Sequence, residues 1–248
     1  MRVTHALTGG MLVASLLGLP VAAAAVQPVP AAHPTRSTPL TAAVQAAKAT
    51  PRNTWVVVHP YHHNKLYGGH LKLTGQVRYR SHGSVFAAAG VKVRLLRRPN
   101  GASTWKRIDS DTTSHTAKPA YSFGATARGN ADYRVAFHGN SYLQSSRKTV
   151  PLFVHRKLPA KIVQVTATDL QLLGHAVPKY AHKNVKLQKR DCTGCAWHTI
   201  RHQRTNSRSH FSFDVGAPRS GSWYFRVKTA ASTRFAISYS ATFRTFQP

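Results

Sequence analysis

The chain has 248 residues, long enough for one large domain or two small ones. It carries 35 Lys and Arg against 6 acids, all of them Asp, for a formal net charge of +29, and it has no Glu. So few carboxylates leave little material for paired acid–base catalysis of the glycosidase kind or for oxygen-rich Ca²⁺ sites, while the charge itself favours an anionic partner over mere solubility.

The N-terminus, "MRVTHALTGGMLVASLLGLPVAAAA", is one Arg, an apolar run and small residues, the pattern of a secretory signal peptide. Ala23–Ala25 supplies the small-residue cleavage site, so residues 1–25 are assigned to a signal peptide. The run contains Gly18 and Pro20 and is short for a membrane span. Residues 26–53, rich in Pro, Ala and Thr, lack apolar periodicity and are predicted to be a disordered linker.

Beyond the linker the chain repeats itself. Val93 and Val185, Leu95 and Leu187, Trp105 and Trp197, Ile108 and Ile200, and Val135 and Val227 each stand 92 positions apart (for example 197 − 105 = 92), and Leu73-Thr74 answers to Val165-Thr166 at the same spacing. That period suits a small sandwich domain, which divides the chain into residues 54–155 and 156–247. In the first copy the runs "TWVVV", "HLKLTGQV", "VKVRLL", "TWKRI", "YSF", "YRVAF" and "RKTVPLFV" alternate apolar and polar residues between turn signals, with "RRPNGAS" as a hairpin turn. The fold class expected is all-β: two tandem antiparallel Ig-like β-sandwich domains after a signal peptide and a disordered linker.

Alternation places Val93, Leu95, Tyr133 and Val135 inside, which turns Lys92, Arg94 and Arg134 outward; in the second copy Val185, Leu187 and Val227 face in, and Lys186, Arg226 and Lys228 face out. These six cations are the candidate ligand-binding residues. Trp105 and Trp197 are expected to pack in cores or at edges rather than to act as stacking platforms. Cys192 and Cys195, in "CTGC", are the one cysteine pair; a structural disulfide is the preferred reading for an exported chain, with a C-x₂-C-x₂-H-x₃-H metal site through His198 and His202 or a redox pair as alternatives. His59, His62, His63 and His70 form a His-rich segment without thiolate or carboxylate neighbours, so no metal and no cofactor is assigned. There is no G-x-S-x-G elbow, P-loop or dinucleotide fingerprint.

The stretches "LYGGHLKLTGQV", "AGVKVRLLRR", "STWKRI" and "ADYRVAFHGNSYLQSS" resemble bacterial Ig-like or fibronectin-III-like repeat domains of secreted or cell-surface proteins. The likeness covers 54–154 well and 156–247 more loosely. It implies a non-catalytic binding, spacer or adhesion module. Where many such repeats carry an Asp and a Gly before the "YSF"-like strand, this chain reads "DTTSHTAKPA". The family's tyrosine corner would fall at Tyr133, with Phe225 at the matching position of the second copy.

Together these readings describe a secreted, non-enzymatic protein, at the cell wall or free outside the cell. It binds an anionic surface or polymer: cell-wall polymer, acidic polysaccharide, lipid headgroup or nucleic acid. The alternatives are a His-rich metal-binding exported protein and an accessory or spacer module of an extracellular enzyme system.

Overall fold

The computed structural model describes residues 50–166 and 169–246, all within one compact unit, Lys48–Pro248. The signal-peptide assignment and residues 26–49 of the linker lie outside the described residues. Among the described residues there is no helix, and hence none long and apolar enough to cross a membrane.

The first copy runs β1 (Thr54–Val58), β2 (Asn64–Leu66), β3 (His70–Ser81), β4 (Ser84–Ala87), β5 (Lys92–Pro99), β6 (Lys106–Thr112), β7 (Tyr121–Thr126), β8 (Ala131–Phe137) and β9 (Ser146–His155). The second runs β10 (Ala160–Gln164), β11 (Leu170–His175), β12 (Asn184–Arg190), β13 (His198–Arg204), β14 (His210–Val215), β15 (Trp223–Thr229), β16 (Ser238–Tyr239) and β17 (Phe243–Thr245). In the first sandwich β3 pairs with β1, β4 and β7, facing a sheet ordered β2-β9-β8-β5-β6. In the second, β10-β11-β14 faces β13-β12-β15, with β16 and β17 both pairing β15. The pairings are antiparallel except β2 with β9, which is parallel. Tandem antiparallel β-sandwiches are therefore the architecture.

Alternation does what it should: Val93, Leu95, Tyr133 and Val135 form part of one buried cluster, and Val185, Leu187 and Val227 part of another. The repeat also reaches the hydrogen-bond register. Leu96 pairs with Arg134 and Gln188 with Arg226; a bulge interrupts β5–β6 between Leu95 and Leu96 and β12–β13 between Leu187 and Gln188, all at the spacing of 92 (188 − 96 = 92; 226 − 134 = 92).

Three sequence expectations need correction. Leu73-Thr74 does not match Val165-Thr166. Leu73 faces Phe123 on β7 and Leu172 faces Phe213 on β14, so β11 answers β3 at a spacing of 172 − 73 = 99, and Val165 and Thr166 lie in the turn before β11. The chain between the copies inserts residues there that an apolar pattern cannot count. Second, β2 and β4 escaped the strand reading: β2 is three residues long, and β4 follows β3 through the two-residue turn His82-Gly83, both at positive φ (48° and 78°). Third, the buried Tyr133 hydroxyl reaches no backbone carbonyl and has the Arg97 side chain beside it, so it makes no tyrosine corner. Tyr121 does the tying instead: its hydroxyl donates to the Val57 carbonyl at 2.6 Å, across β3.

The two sandwiches share a joint. Phe235, from the β15–β16 connection, lies in the first copy's core cluster. Asn130 N–H donates to the Arg234 carbonyl (2.8 Å), and Ala236 N–H donates to that of Val154 (2.9 Å). Arg156, 7% exposed, stacks over Phe235 (4.1 Å) and Tyr180 (4.5 Å). Burial lowers its pKa, with Arg234 adding to that and Tyr180 opposing it. The aromatic faces take the place of a carboxylate partner for this cation.

Candidate functional site

Each copy presents the outer face of its β5–β8 or β12–β15 sheet. On the first, Arg134 and Arg98 project from neighbouring strands and lie 3.9 and 4.8 Å from the centroid of Trp105, just before β6. On the second, Arg226 and Arg190 lie 4.2 and 4.7 Å from the centroid of Trp197. Every member matches at one spacing: 190 − 98 = 92, 197 − 105 = 92 and 226 − 134 = 92. The two tryptophans thus sit half-exposed against arginines, each just before an edge strand (β6 or β13), so of the two expected placements, core or edge, the edge is the one observed. Arg98, next to last in β5, and Arg190, last in β12, keep the outward phase, and the turn returns the chain at the tryptophan, so ring and guanidiniums meet.

The six predicted cations fall as follows. Lys92 and Lys186 are exposed; Arg94, Arg134, Arg226 and Lys228 are half-buried. Arg94 donates to His138 Nε2 at 3.1 Å, and Arg134 Nε donates to Thr149 Oγ1 at 3.2 Å. Lys186 and Lys228 are direct cross-strand partners, two like charges side by side. Arg226 also stacks on Tyr239 (4.2 Å), with Lys228 Nζ at 5.8 Å from the same ring. Arg98 and Arg190 were missed as site residues. Their signal was present, since both keep the outward phase and the spacing of 92.

Burial lowers the pKa of Arg134, and the like charges of Arg147 and Arg98 add to it against Asp132. Burial also lowers that of Arg226, with Arg190 adding and Tyr239 opposing. Arginine stays charged regardless, so each face concentrates mutually repelling guanidiniums on a ring, a field that an incoming anion relaxes.

The copies differ at one point. Arg98 Nη2 is paired with Asp132 Oδ2 at 2.7 Å. The position matching Asp132 is Tyr224 (224 − 132 = 92), whose ring lies 5.1 Å from the Arg190 guanidinium. Arg190 Nη1 donates instead to the Thr193 carbonyl, and the Thr193 hydroxyl donates to Tyr224 Oη at 3.2 Å. Thr193 sits inside the turn closed by Cys192 and Cys195, which are disulfide-bonded. That bond removes both thiolates from any zinc site in this state.

Among the described residues no three His, Cys or Asp side chains lie within reach of one metal ion, so His59, His62, His63 and His70 do not converge. A cleft of about 660 Å³ lies over Gly174 and Phe211 of the second copy, rimmed by Lys161, His175, Arg204 and His210, and has no carboxylate in its lining.

No family model matches the chain, and no curated protein matches it. Among solved structures it is similar to one titled a cytokine receptor complex, at 13% identity and a TM-score of 0.38, over 77% of this chain and 95% of that one. The fold assignment rests on the strand registers and not on that likeness.

Proposed function

We propose that the protein is a secreted or cell-wall-associated, non-catalytic module of the Ig-like or fibronectin-III-like kind. On this reading it binds an anionic polymer through the basic outer faces of its two sandwiches. The observation that carries the reading is the recurrence, at one spacing, of a tryptophan flanked by two arginines on the same face of each copy. Packing alone needs an apolar side chain there; repeated guanidiniums on a ring orient planar donors toward a ligand. Two guanidiniums lie within 5 Å of each indole centroid, so cationic donors stand beside any group that approaches the ring. The polymer is then held by its charged groups. A panel of polyphosphate, acidic polysaccharide and neutral dextran tests this: the anionic polymers bind, and log K falls linearly with log salt. Equal affinity for neutral dextran, or no salt dependence, refutes the reading.

A further inference from the structure

The two faces are equal in design and unequal in how their stacked arginine is held. In the first copy Asp132 already occupies Arg98 at 2.7 Å. An incoming oxyanion has to compete with a carboxylate fixed in place by the sheet. In the second copy Arg190 is in none of the ion pairs formed among the described residues. Its guanidinium is oriented by neutral contacts only: the rings of Trp197 and Tyr224, and the Thr193 carbonyl at Nη1. Its Nε is buried and closed to a ligand, while Nη2 donates to no acceptor among the described residues. The arginine therefore keeps its full charge and an unfilled terminal donor in a fixed orientation, which suits it to bind an oxyanion.

The turn that fixes it is cross-linked. Thr193 holds Arg190 through its carbonyl and Tyr224 through its hydroxyl, and it lies between Cys192 and Cys195. The matching turn of the first copy, Asn100 to Ser103, has no cysteine. Both cysteines are exposed, so a thiol reductant can reach them. Reduction by a dithiol would convert the S–S bond to two thiols as the dithiol becomes a disulfide, leaving the turn closed only by the long hydrogen bond from Cys195 N–H to the Cys192 carbonyl (3.3 Å) and so holding Thr193 less firmly.

We propose that the second copy's Arg190–Trp197–Arg226 stack is the principal oxyanion site of the chain and that the Cys192–Cys195 turn sets its affinity. The proposal rests on the anionic-polymer reading above and specifies which face dominates and what regulates it.

Inorganic polyphosphate of defined length is titrated into the full mature protein, oxidised and after dithiol reduction, and into Arg98→Ser, Arg190→Ser and Arg190→Lys. The expected results are a tenfold or greater loss for Arg190→Ser, a loss of less than threefold for Arg98→Ser, and at least a threefold loss on reduction. Arg190→Lys keeps the charge but not the planar donors, and is expected to recover only a small part of the loss. Thermal unfolding of each variant separates lost binding from lost folding, and the reduction arm needs no substitution. If the unsubstituted protein shows no salt-sensitive binding, the functional reading itself fails. If it binds but Arg98→Ser costs as much as Arg190→Ser, or reduction leaves affinity unchanged, the functional reading stands and this assignment is overturned.

Discussion

Gly75 shows how tightly a single position is constrained. It lies mid-strand, where glycine ordinarily weakens a sheet. A Cβ there would come 1.9 Å from the Val57 carbonyl oxygen and 2.3 Å from the Tyr121 hydroxyl, so the absence of a side chain is what lets Tyr121 cross β3. Gly174 plays the same part under Phe211, whose ring would meet an added Cβ at 2.6 Å. Gly75→Ala is expected to destabilise the protein by about 3 kcal/mol, because backbone rather than a flexible chain end has to move. Gly194→Ala, with nothing within 4 Å of the added Cβ, is expected to change stability by less than about 0.5 kcal/mol. Chemical denaturation of the two variants checks the contrast, and equal effects would contradict it.

Across elements, Tyr121 joins β7 to β1 over the intervening strand, and its hydroxyl needs its proton to donate to Val57. Burial pushes its pKa up from 10.0, and burial with the charge of Asp132 raises that of Tyr61 to about 12. Below pH 10 the folded and unfolded chains both hold these protons and the contribution to stability is complete. As the pH rises past 10 the unfolded chain releases its protons first, so stability falls until the folded tyrosines ionise in turn. Tyr121→Phe is expected to cost about 1 kcal/mol at neutral pH and to make the alkaline loss shallower; denaturation midpoints between pH 8 and 11 measure both. At this scale the sequence was most informative. Period-2 alternation identified the strands that carry the cores, and the spacing of 92 carried through to register and bulge. It could not show that Trp105 and Trp197 lie under arginines, since that depends on how a turn returns the chain across a sheet. Nor could alternation reveal β2, whose parallel pairing with β9 depends on tertiary placement.

For the whole molecule, the period suggested two separate copies, yet the joint between them is built into the fold. Phe235 belongs by sequence to the second copy and by packing to the first, and Arg156 lies buried against it. Phe235→Ala removes a buried ring from one sandwich through the loop of the other. It is expected to cost about 3–4 kcal/mol and to separate a shared calorimetric transition into two; one unchanged transition would show that the joint does not couple the copies. The charged faces are tested by the salt dependence of polyphosphate affinity for the full chain and for a variant with Lys92, Arg94, Arg134, Lys186, Arg226 and Lys228 replaced by serine. The slope of log K against log salt is expected to shrink by about one unit for each contact removed, while the variant stays folded despite the loss of its cation–ring stacks. An unchanged slope in that variant, with binding abolished instead by deleting residues 26–49, would rule out the basic faces as the binding surface and leave the sandwiches as spacers.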